Sequence, residues 1–162
     1  MRKILIINTG GTFNKVYNPL NGELIVDQTA YAIENIASKW LCELEVLNII
    51  GKDSLDISNH DRLELLATIS QSEYEYIIIV HGTDTMKLTA EYLADGDCEK
   101  YIVLTGAMVP YSIDPVEATA NLCSAYGYIN ALEKKGIYIA MNGGMGDYKK
   151  VRKNRKKGKF TL

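Results

Sequence analysis

Five short apolar runs alternate with helix-like patterns along this chain of 162 residues. The runs are rich in Ile, Val, Leu and Tyr and have few polar interruptions, which is typical of strands buried on both faces. They cover residues 3–8, 45–50, 76–80, 101–104 and 137–141. Repeated β–α units predict one parallel sheet covered by helices on both faces. The expected fold class is therefore a doubly wound α/β domain of about five strands, flavodoxin- or Rossmann-like in outline.

Four helices are predicted between and after these runs, over residues 30–41, 59–71 and 85–95 and from residue 115 onward. The helix over 30–41 is expected to bury one stripe: Ile33, Ile36, Ala37, Trp40 and Leu41. The helix over 59–71 follows a possible cap at Ser58, and its expected stripe is Leu63, Leu66 and Ala67. These spacings predict which faces pack on the sheet.

The fourth helix has the best-marked start. Asp114 can cap it, Pro115 suits the first helical position, and Glu117 can complete a capping box. Apolar residues then recur at helical spacing, at Ala118, Leu122, Ala125, Ile129 and Leu132. We interpret this stripe as core packing.

Residues 12–29 break the alternation. The stretch Asn18-Pro19-Leu20-Asn21-Gly22 has strong turn chemistry and lies between two short apolar segments. It predicts a small hairpin or a mobile flap. A segment of this length inside a compact domain is often functional.

Composition excludes several classes of protein. No stretch approaches the roughly 20 apolar residues of a membrane span, and the apolar run after the basic N-terminus is too short for a signal peptide. The three cysteines, Cys42, Cys98 and Cys123, form no CxxC pair, so we expect buried, inert thiols in a reducing cytoplasm.

The net charge of −2 hides an acidic domain with a basic tail over residues 147–162. Eight of the eighteen basic residues lie in the last fourteen positions, so the first 148 residues carry ten basic against twenty acidic residues. Such a tail is usually a solvated segment, and nucleic acid is not expected as a partner.

Every predicted strand ends in a polar, glycine- or serine-bearing segment. These segments are 9–12, 53–54, 81–85, 105–108 and 142–144. Ligands of open parallel sheets bind beyond the carboxyl ends of the strands. Thr12, Ser54, Thr83 and Asp84 are therefore expected to converge from distant parts of the chain.

Two hydroxyls, a carboxylate and glycine N–H groups suit nucleophilic attack on a carbonyl of a small zwitterionic substrate. Gly10-Gly11 forms neither GxGxxG nor a P-loop, so nucleotide binding is a poor alternative. His81 is expected to be a satisfied core histidine and His60 to lie on an exposed helix start. Neither histidine has a second potential ligand at the spacing of a metal site, so no metal is expected.

Three segments resemble the bacterial-type L-asparaginase/glutaminase family. They read Ile7-Asn8-Thr9-Gly10-Gly11-Thr12, Val80-His81-Gly82-Thr83-Asp84-Thr85-Met86 and Val103-Leu104-Thr105-Gly106-Ala107-Met108, and the segment 147–153 also fits. The first two are the signatures of the family, in the right order, and the resemblance covers nearly the whole chain. It implies hydrolysis of L-asparagine to L-aspartate and ammonia through an acyl-enzyme, without a metal or cofactor. L-Glutamine is the second candidate substrate.

The resemblance also implies roles for single residues. Thr12 matches the nucleophile and Thr83 the second essential threonine, while Lys153 assists proton transfer and Asp84 also holds the substrate amino group. The other matches are Gly11 and the Ala107 carbonyl beside the substrate, Ser54 at the substrate carboxylate, and Tyr17 as a loosely aligned tyrosine of the flap at 12–29.

The sequence departs from the family in three ways. The second domain of typical members is absent from residues 1–162, Leu55 stands where periplasmic members carry glutamine, and the segment 143–146 looks flexible. Three hypotheses remain: a cytoplasmic, homo-oligomeric, single-domain asparaginase; a non-catalytic amino-acid-binding domain; and a component of a tRNA-dependent amidotransferase. The first is favoured because Thr12, Thr83, Asp84 and Lys153 are all present.

Overall fold

The fold was obtained as a computed structural model, which describes residues 2–162. Its strands are β1 (Ile4–Gly10), β2 (Lys15–Tyr17), β3 (Leu24–Val26), β4 (Leu44–Lys52), β5 (Tyr76–Val80), β6 (Tyr101–Thr105), β7 (Gly136–Met141), β8 (Gly144–Asp147), β9 (Arg152–Asn154) and β10 (Lys159–Thr161). Its helices are α1 (Tyr31–Ala37), α2 (Asn59–Gln71), α3 (Met86–Asp95) and α4 (Pro115–Ala131). All five predicted strands and all four predicted helices are present.

Six strands form the central sheet, in the order β4-β1-β5-β6-β7-β8. The first five are parallel, and β8 pairs antiparallel with β7. The parallel strands therefore follow the flavodoxin-like order 2-1-3-4-5, in which the winding direction reverses between β1 and β5. Such a switch point opens a crevice at the carboxyl ends of these two strands, so the topology itself selects the place of the site.

The sheet is buried on both faces. Along β1, Ile6 packs with the helices α1 and α4 on one side, whereas Ile7 packs with α2 and α3 on the other. Successive strand side chains point to opposite faces, so an apolar run without alternation is what a two-sided core requires. The prediction of a doubly wound sheet is confirmed.

Two helices differ from their predictions. Helix α1 ends at Ala37 rather than 41; Trp40 lies beyond it and stacks on Tyr126 with ring centroids 4.2 Å apart, and Leu41 is 84% exposed. In α2 the predicted stripe is wrong, because the buried apolar side chains are Leu65 and Ile69.

The expected stripe of α2 instead faces solvent or the edge of the core: Leu63 and Ala67 are exposed and Leu66 is half-buried. The reason is that the charged residues Asp61 and Arg62 belong to the buried side of the helix. Residue type alone therefore pointed to the wrong face.

The start of α4 is capped as predicted only in part. The Asp114 carboxylate accepts a hydrogen bond from the Val116 N–H at 3.1 Å, and Pro115 occupies the first turn. Glu117 does not complete a capping box; its carboxylate accepts hydrogen bonds from the Met108 and Val109 N–H groups. Glu117 therefore holds the loop after β6.

The hairpins β2–β3 and β7–β8 each have a local cause. The flap at 12–29 contains the hairpin β2–β3, as its turn chemistry predicts. Strand β8 was not predicted, because the glycine-rich segment was interpreted as flexible. Asn142 and Gly143 have φ values of 51° and 82°, which is the backbone of a tight hairpin turn between β7 and β8.

The cysteines differ from expectation in their exposure. All three are free thiols, but Cys123 is exposed and Cys42 and Cys98 are half-buried. Partial desolvation of the sulfur atoms nevertheless raises the pKa of the Cys98 and Cys123 thiols. Within residues 2–162 no helix combines the length and the apolar character that a membrane span requires.

Candidate active site

Two loops meet at the switch point of the sheet. Gly11 follows β1 and Gly82 follows β5; a methyl group at Gly11 would lie 2.5 Å from the backbone nitrogen of Gly82. Gly11 also has a φ of 76°, which side chains rarely adopt, and its N–H donates to the Lys52 carbonyl at 2.9 Å. The backbone contact of two glycines therefore brings Thr12 and Thr83 to one place.

Buried polar side chains fix the loop that carries Thr12. The Thr9 hydroxyl donates to the Val80 carbonyl at 2.8 Å and ties the ends of β1 and β5 together. The Asn14 amide donates to the Gly10 carbonyl at 2.7 Å and to the Asn8 amide oxygen at 2.8 Å. The turn that begins at Thr12 is thus held at both ends, which limits where its hydroxyl can move.

A cation from the basic tail reaches the second threonine. The Lys153 Nζ donates hydrogen bonds to Thr83 Oγ1 at 2.8 Å and to Asp84 Oδ1 at 2.9 Å. The side chains of Lys153 and Asp84 are only 20% and 30% exposed. A hydroxyl, an ammonium and a carboxylate in this contact can move a proton and balance the charge that results.

An open cavity of about 500 Å³ joins these groups to the first threonine. Thr12, Thr83, Asp84, Met108 and Lys153 all line it. Three separate parts of the chain therefore supply the two hydroxyls and the ion pair. Thr12, Thr83 and Asp84 follow predicted strands, whereas Lys153 was expected only from the family resemblance.

A second cavity of about 670 Å³ begins at the same two residues, Thr12 and Asp84, and extends beneath the β2–β3 hairpin. Its walls include Lys15 and Asp53, whose charged atoms lie 2.7 Å apart. Burial alone would raise the pKa of Asp53, but the hydrogen bonds from the Lys15 ammonium and the Leu55 N–H lower it. This ion pair fastens the hairpin to the loop after β4.

The remaining predicted site residues lie at different distances from these cavities. Ser54 is 1% exposed, and its hydroxyl accepts a hydrogen bond from the Thr85 N–H at 3.3 Å. Ala107 is buried next to Met108, and Tyr17 is 63% exposed at the end of β2. None of these three side chains lines either cavity.

The histidine beside the second threonine is a core residue, as predicted. The Arg62 Nε donates to Thr89 Oγ1 at 3.0 Å, and Thr89 Oγ1 contacts His81 Nε2 at 2.8 Å. The Gly82 carbonyl can only accept, so the His81 Nδ1–H donates to it at 2.7 Å. In the neutral ring Nε2 is then an acceptor, and the Thr89 hydroxyl donates to it. Burial lowers the pKa of His81 to about 4, so the ring is neutral.

This chain of hydrogen bonds orients the loop that carries Thr83. The Gly82 carbonyl faces the His81 ring. In a planar trans peptide the next N–H points the opposite way, so the Thr83 N–H is directed away from the histidine. His60, by contrast, is exposed in the first turn of α2, as expected. Within residues 2–162 no three His, Cys, Asp or Glu side chains cluster as a metal site would require.

Two charged residues that line the cavities of the candidate site were not predicted from the sequence. Lys15 belongs to the flap and Arg155 to the basic tail, where the Arg155 Nη2 lies 3.3 Å from Asp84 Oδ1. The only signal for Arg155 was its position two residues after Lys153, where it begins the turn between β9 and β10. Strand β9 had not been predicted, so that signal could not be used.

Comparison with known proteins gives one consistent result. Residues 3–159 match the family model described as asparaginase, N-terminal. A probable periplasmic L-asparaginase of Haemophilus influenzae is 31% identical over 154 residues, which cover 86% of this chain and 42% of that protein. A glutamyl-tRNA(Gln) amidotransferase subunit of Methanococcus maripaludis is 29% identical over 158 residues, which cover 91% of this chain and 36% of that protein.

The fold has the same relatives. The thermostable L-asparaginase of Thermococcus kodakarensis superposes with a TM-score of 0.82 at 26% identity, over 98% of this chain and 50% of the other. The chain thus spans about half, or less than half, of the length of these relatives.

Proposed function

This chain belongs to the asparaginase family, and from that premise we propose that it hydrolyses the side-chain amide of L-asparagine to L-aspartate and ammonia. The observation that supports the proposal most directly is the 2.8 Å hydrogen bond from the Lys153 Nζ to Thr83 Oγ1, in a cavity that Thr12 also lines. It gives the second threonine a partner that can carry a proton, in the cavity that the potential nucleophile Thr12 also lines.

In the first half-reaction, Thr12 Oγ attacks the amide carbon of the substrate. The proton of Thr12 is transferred by way of the Thr83–Lys153 pair to the leaving nitrogen, which departs as ammonia, and an ester to Thr12 remains. The Asp84 carboxylate balances the charge on Lys153 during this transfer. The Thr83 N–H, held away from His81, is suited to stabilise the oxyanion that forms on the substrate.

In the second half-reaction, water attacks the ester, and the same pair takes one of its protons and returns it to Thr12 Oγ. The acid is released and the enzyme regenerated, so no cofactor has to supply or remove electrons. Each half-reaction moves a single proton, a step to which general acid–base residues contribute about 10²–10⁴ in rate.

Substrate binding uses the remaining residues of the site in this proposal. Asp84 accepts the α-ammonium group, while Gly11 and the Ala107 carbonyl lie beside the amide. Ser54 and Tyr17 keep the roles that the family resemblance implies, and each would have to become accessible or move closer, because neither side chain lines a cavity.

The test is release of ammonia from L-asparagine and from L-glutamine by the purified chain, beside Thr12→Ala. A matched control is Thr119→Ala in α4, since Thr119 lines neither cavity. We expect release by the parent chain and by the control and none by Thr12→Ala. A folded parent chain that releases no ammonia from either amide would refute the hydrolase and favour a binding domain.

A second candidate function is the amidase part of a larger assembly that modifies aminoacyl-tRNA. Two observations favour it: the similarity to a glutamyl-tRNA(Gln) amidotransferase, and the exposed cations Lys156, Lys157 and Lys159 in the β9–β10 hairpin. Ammonia from glutamine would then be consumed by a partner rather than released.

Binding of tRNA distinguishes the two candidates. An amidotransferase component should bind tRNA at low salt, with an affinity that falls steeply as salt increases because counterions are released. No binding at low salt would leave the free-standing hydrolase. A homo-oligomer and a cytoplasmic location remain predictions for either case, testable by light scattering and by fractionation.

A further inference from the structure

We propose that Arg155 binds the α-carboxylate of the amino acid and so helps to select zwitterionic substrates. The inference rests on the proposed function only in taking a free amino acid as the ligand. It concerns a residue outside the set that the family resemblance assigned.

The charges of the catalytic cavity are the first observation. Arg155 lines it together with Lys153 and Asp84, so two cations face one carboxylate. Both cations use the same atom, Asp84 Oδ1, with Lys153 at 2.9 Å and Arg155 at 3.3 Å. The cavity therefore holds one more positive charge than its own anion neutralises, and an anionic ligand group would complete the balance.

The second observation is which of the two cations is free to change partner. Lys153 is 20% exposed and is also bound to Thr83, whereas the Arg155 side chain is 66% exposed. When the α-ammonium of the substrate binds Asp84, Arg155 is the cation that can release this carboxylate at little cost. Its guanidinium then offers paired N–H donors that match a carboxylate.

Geometry supports the exchange of partners. The ammonium and carboxylate of an α-amino acid are attached to the same carbon, so their protein partners must be neighbours. Asp84 and Arg155 are already in contact and are of opposite charge. The substrate would thus replace the ion pair between Asp84 and Arg155 by two new ones, in which its ammonium binds Asp84 and its carboxylate binds Arg155.

The third observation is that Ser54, the other candidate partner of the substrate carboxylate, is buried. Ser54, which the resemblance assigns to the substrate carboxylate, is 1% exposed, and its hydroxyl is held by the Thr85 N–H. A methyl group on Gly82 would lie 2.5 Å from the Ser54 Cβ, so the serine packs directly beneath that loop. A carboxylate in the cavity reaches Arg155 without any movement of Ser54.

The experiment measures binding rather than turnover, by calorimetry in the Thr12→Ala background. L-Aspartate carries both α-groups, succinamate lacks the ammonium, and 3-aminopropanamide lacks the carboxylate. Arg155→Ala is compared with Lys156→Ala, which removes the same charge from the neighbouring exposed position. The substitution site is exposed, so the variants are expected to fold.

We expect Arg155→Ala to weaken the binding of L-aspartate and of succinamate by roughly tenfold or more, which is the usual effect of losing a hydrogen bond to a charged group. The affinity for 3-aminopropanamide should be unchanged. Lys156→Ala should change the affinity for none of the three ligands by more than about twofold. Equal weakening of all three ligands, no weakening, or no binding of L-aspartate to the parent protein would overturn the proposal. Ammonia release by the unmodified chain is measured separately, so a binding site without turnover would refute only the hydrolase.

Discussion

Replacement of Gly11 by alanine tests whether the two glycine loops must touch. The φ of 76° and ψ of −179° lie in a region that is almost restricted to glycine, which costs a side chain about 1–3 kcal/mol. The added methyl group would also lie 2.5 Å from Gly82 N and 2.6 Å from Gly82 Cα. Both are rigid backbone atoms, and overpacking of this kind costs about 1–3 kcal/mol more. We therefore expect a loss of about 2–6 kcal/mol in the free energy of unfolding.

The same clash should reduce activity in the molecules that stay folded. Relief of the contact moves the loop of Thr12 away from Thr83, and a displacement of about 1 Å can cost about 10²-fold in rate. Gly143→Ala is the control, because its φ is 82° but a methyl group there would meet nothing within 4 Å. Its expected cost is about 1–2 kcal/mol, with ammonia release unchanged.

Urea denaturation gives the stability of both variants, and ammonia release is measured at a temperature at which each is folded. The reasoning is wrong if Gly11→Ala is no less stable than Gly143→Ala and releases ammonia at the parent rate. In that case the close contact of the two loops is incidental to the site.

Three further outcomes are expected. Lys153→Met should reduce ammonia release by about 10²–10⁴, whereas Lys156→Met, in the same hairpin, should leave it within about twofold. Burial lowers the pKa of His81 from 6.5 in the unfolded chain to about 4 in the folded protein. Between these pH values the unfolded state binds more protons, so acidification destabilises the protein. The part of this loss that is due to His81 should reach about 3 kcal/mol near pH 4 in urea denaturation and be absent in His81→Gln. Glu117→Gln removes one acceptor from the Met108 and Val109 N–H groups and loosens the loop that lines the catalytic cavity at Met108. Loss of one hydrogen bond to a charged group should then lower kcat by roughly tenfold, with the circular dichroism spectrum unchanged.

The sheet could be predicted because its strands are buried on both faces. An apolar run such as 76–80 has one interpretation in a chain of this length, and its observed bounds, Tyr76–Val80, agree with it. The same holds for the positions of Thr12 and Thr83, since a polar residue after such a strand must lie at the carboxyl end of the sheet. Order along the chain was enough to place both hydroxyls in one crevice.

Contacts that a side chain makes outside its own helix or strand could not be predicted. The buried face of α2 includes Arg62, whose charge is accepted only because Thr89 and the Ile57 carbonyl receive its hydrogen bonds. The role of Glu117 was missed because its carboxylate bonds to a loop rather than to its own helix. Arg155 required knowledge that the basic tail folds back as a hairpin, which local charge does not reveal.

The hydrogen bond between Lys153 and Thr83 spans 70 positions of the chain, and this separation has a consequence for synthesis. At about 5–20 residues per second, the lysine is added roughly 4–14 s after the threonine. During that interval β5 and β6 can already pair, yet Asp84 faces water without either of its cations. Chains that stop before Lys153 should therefore be folded in their first strands and catalytically silent, so the appearance of activity would report the folding of the β9–β10 hairpin.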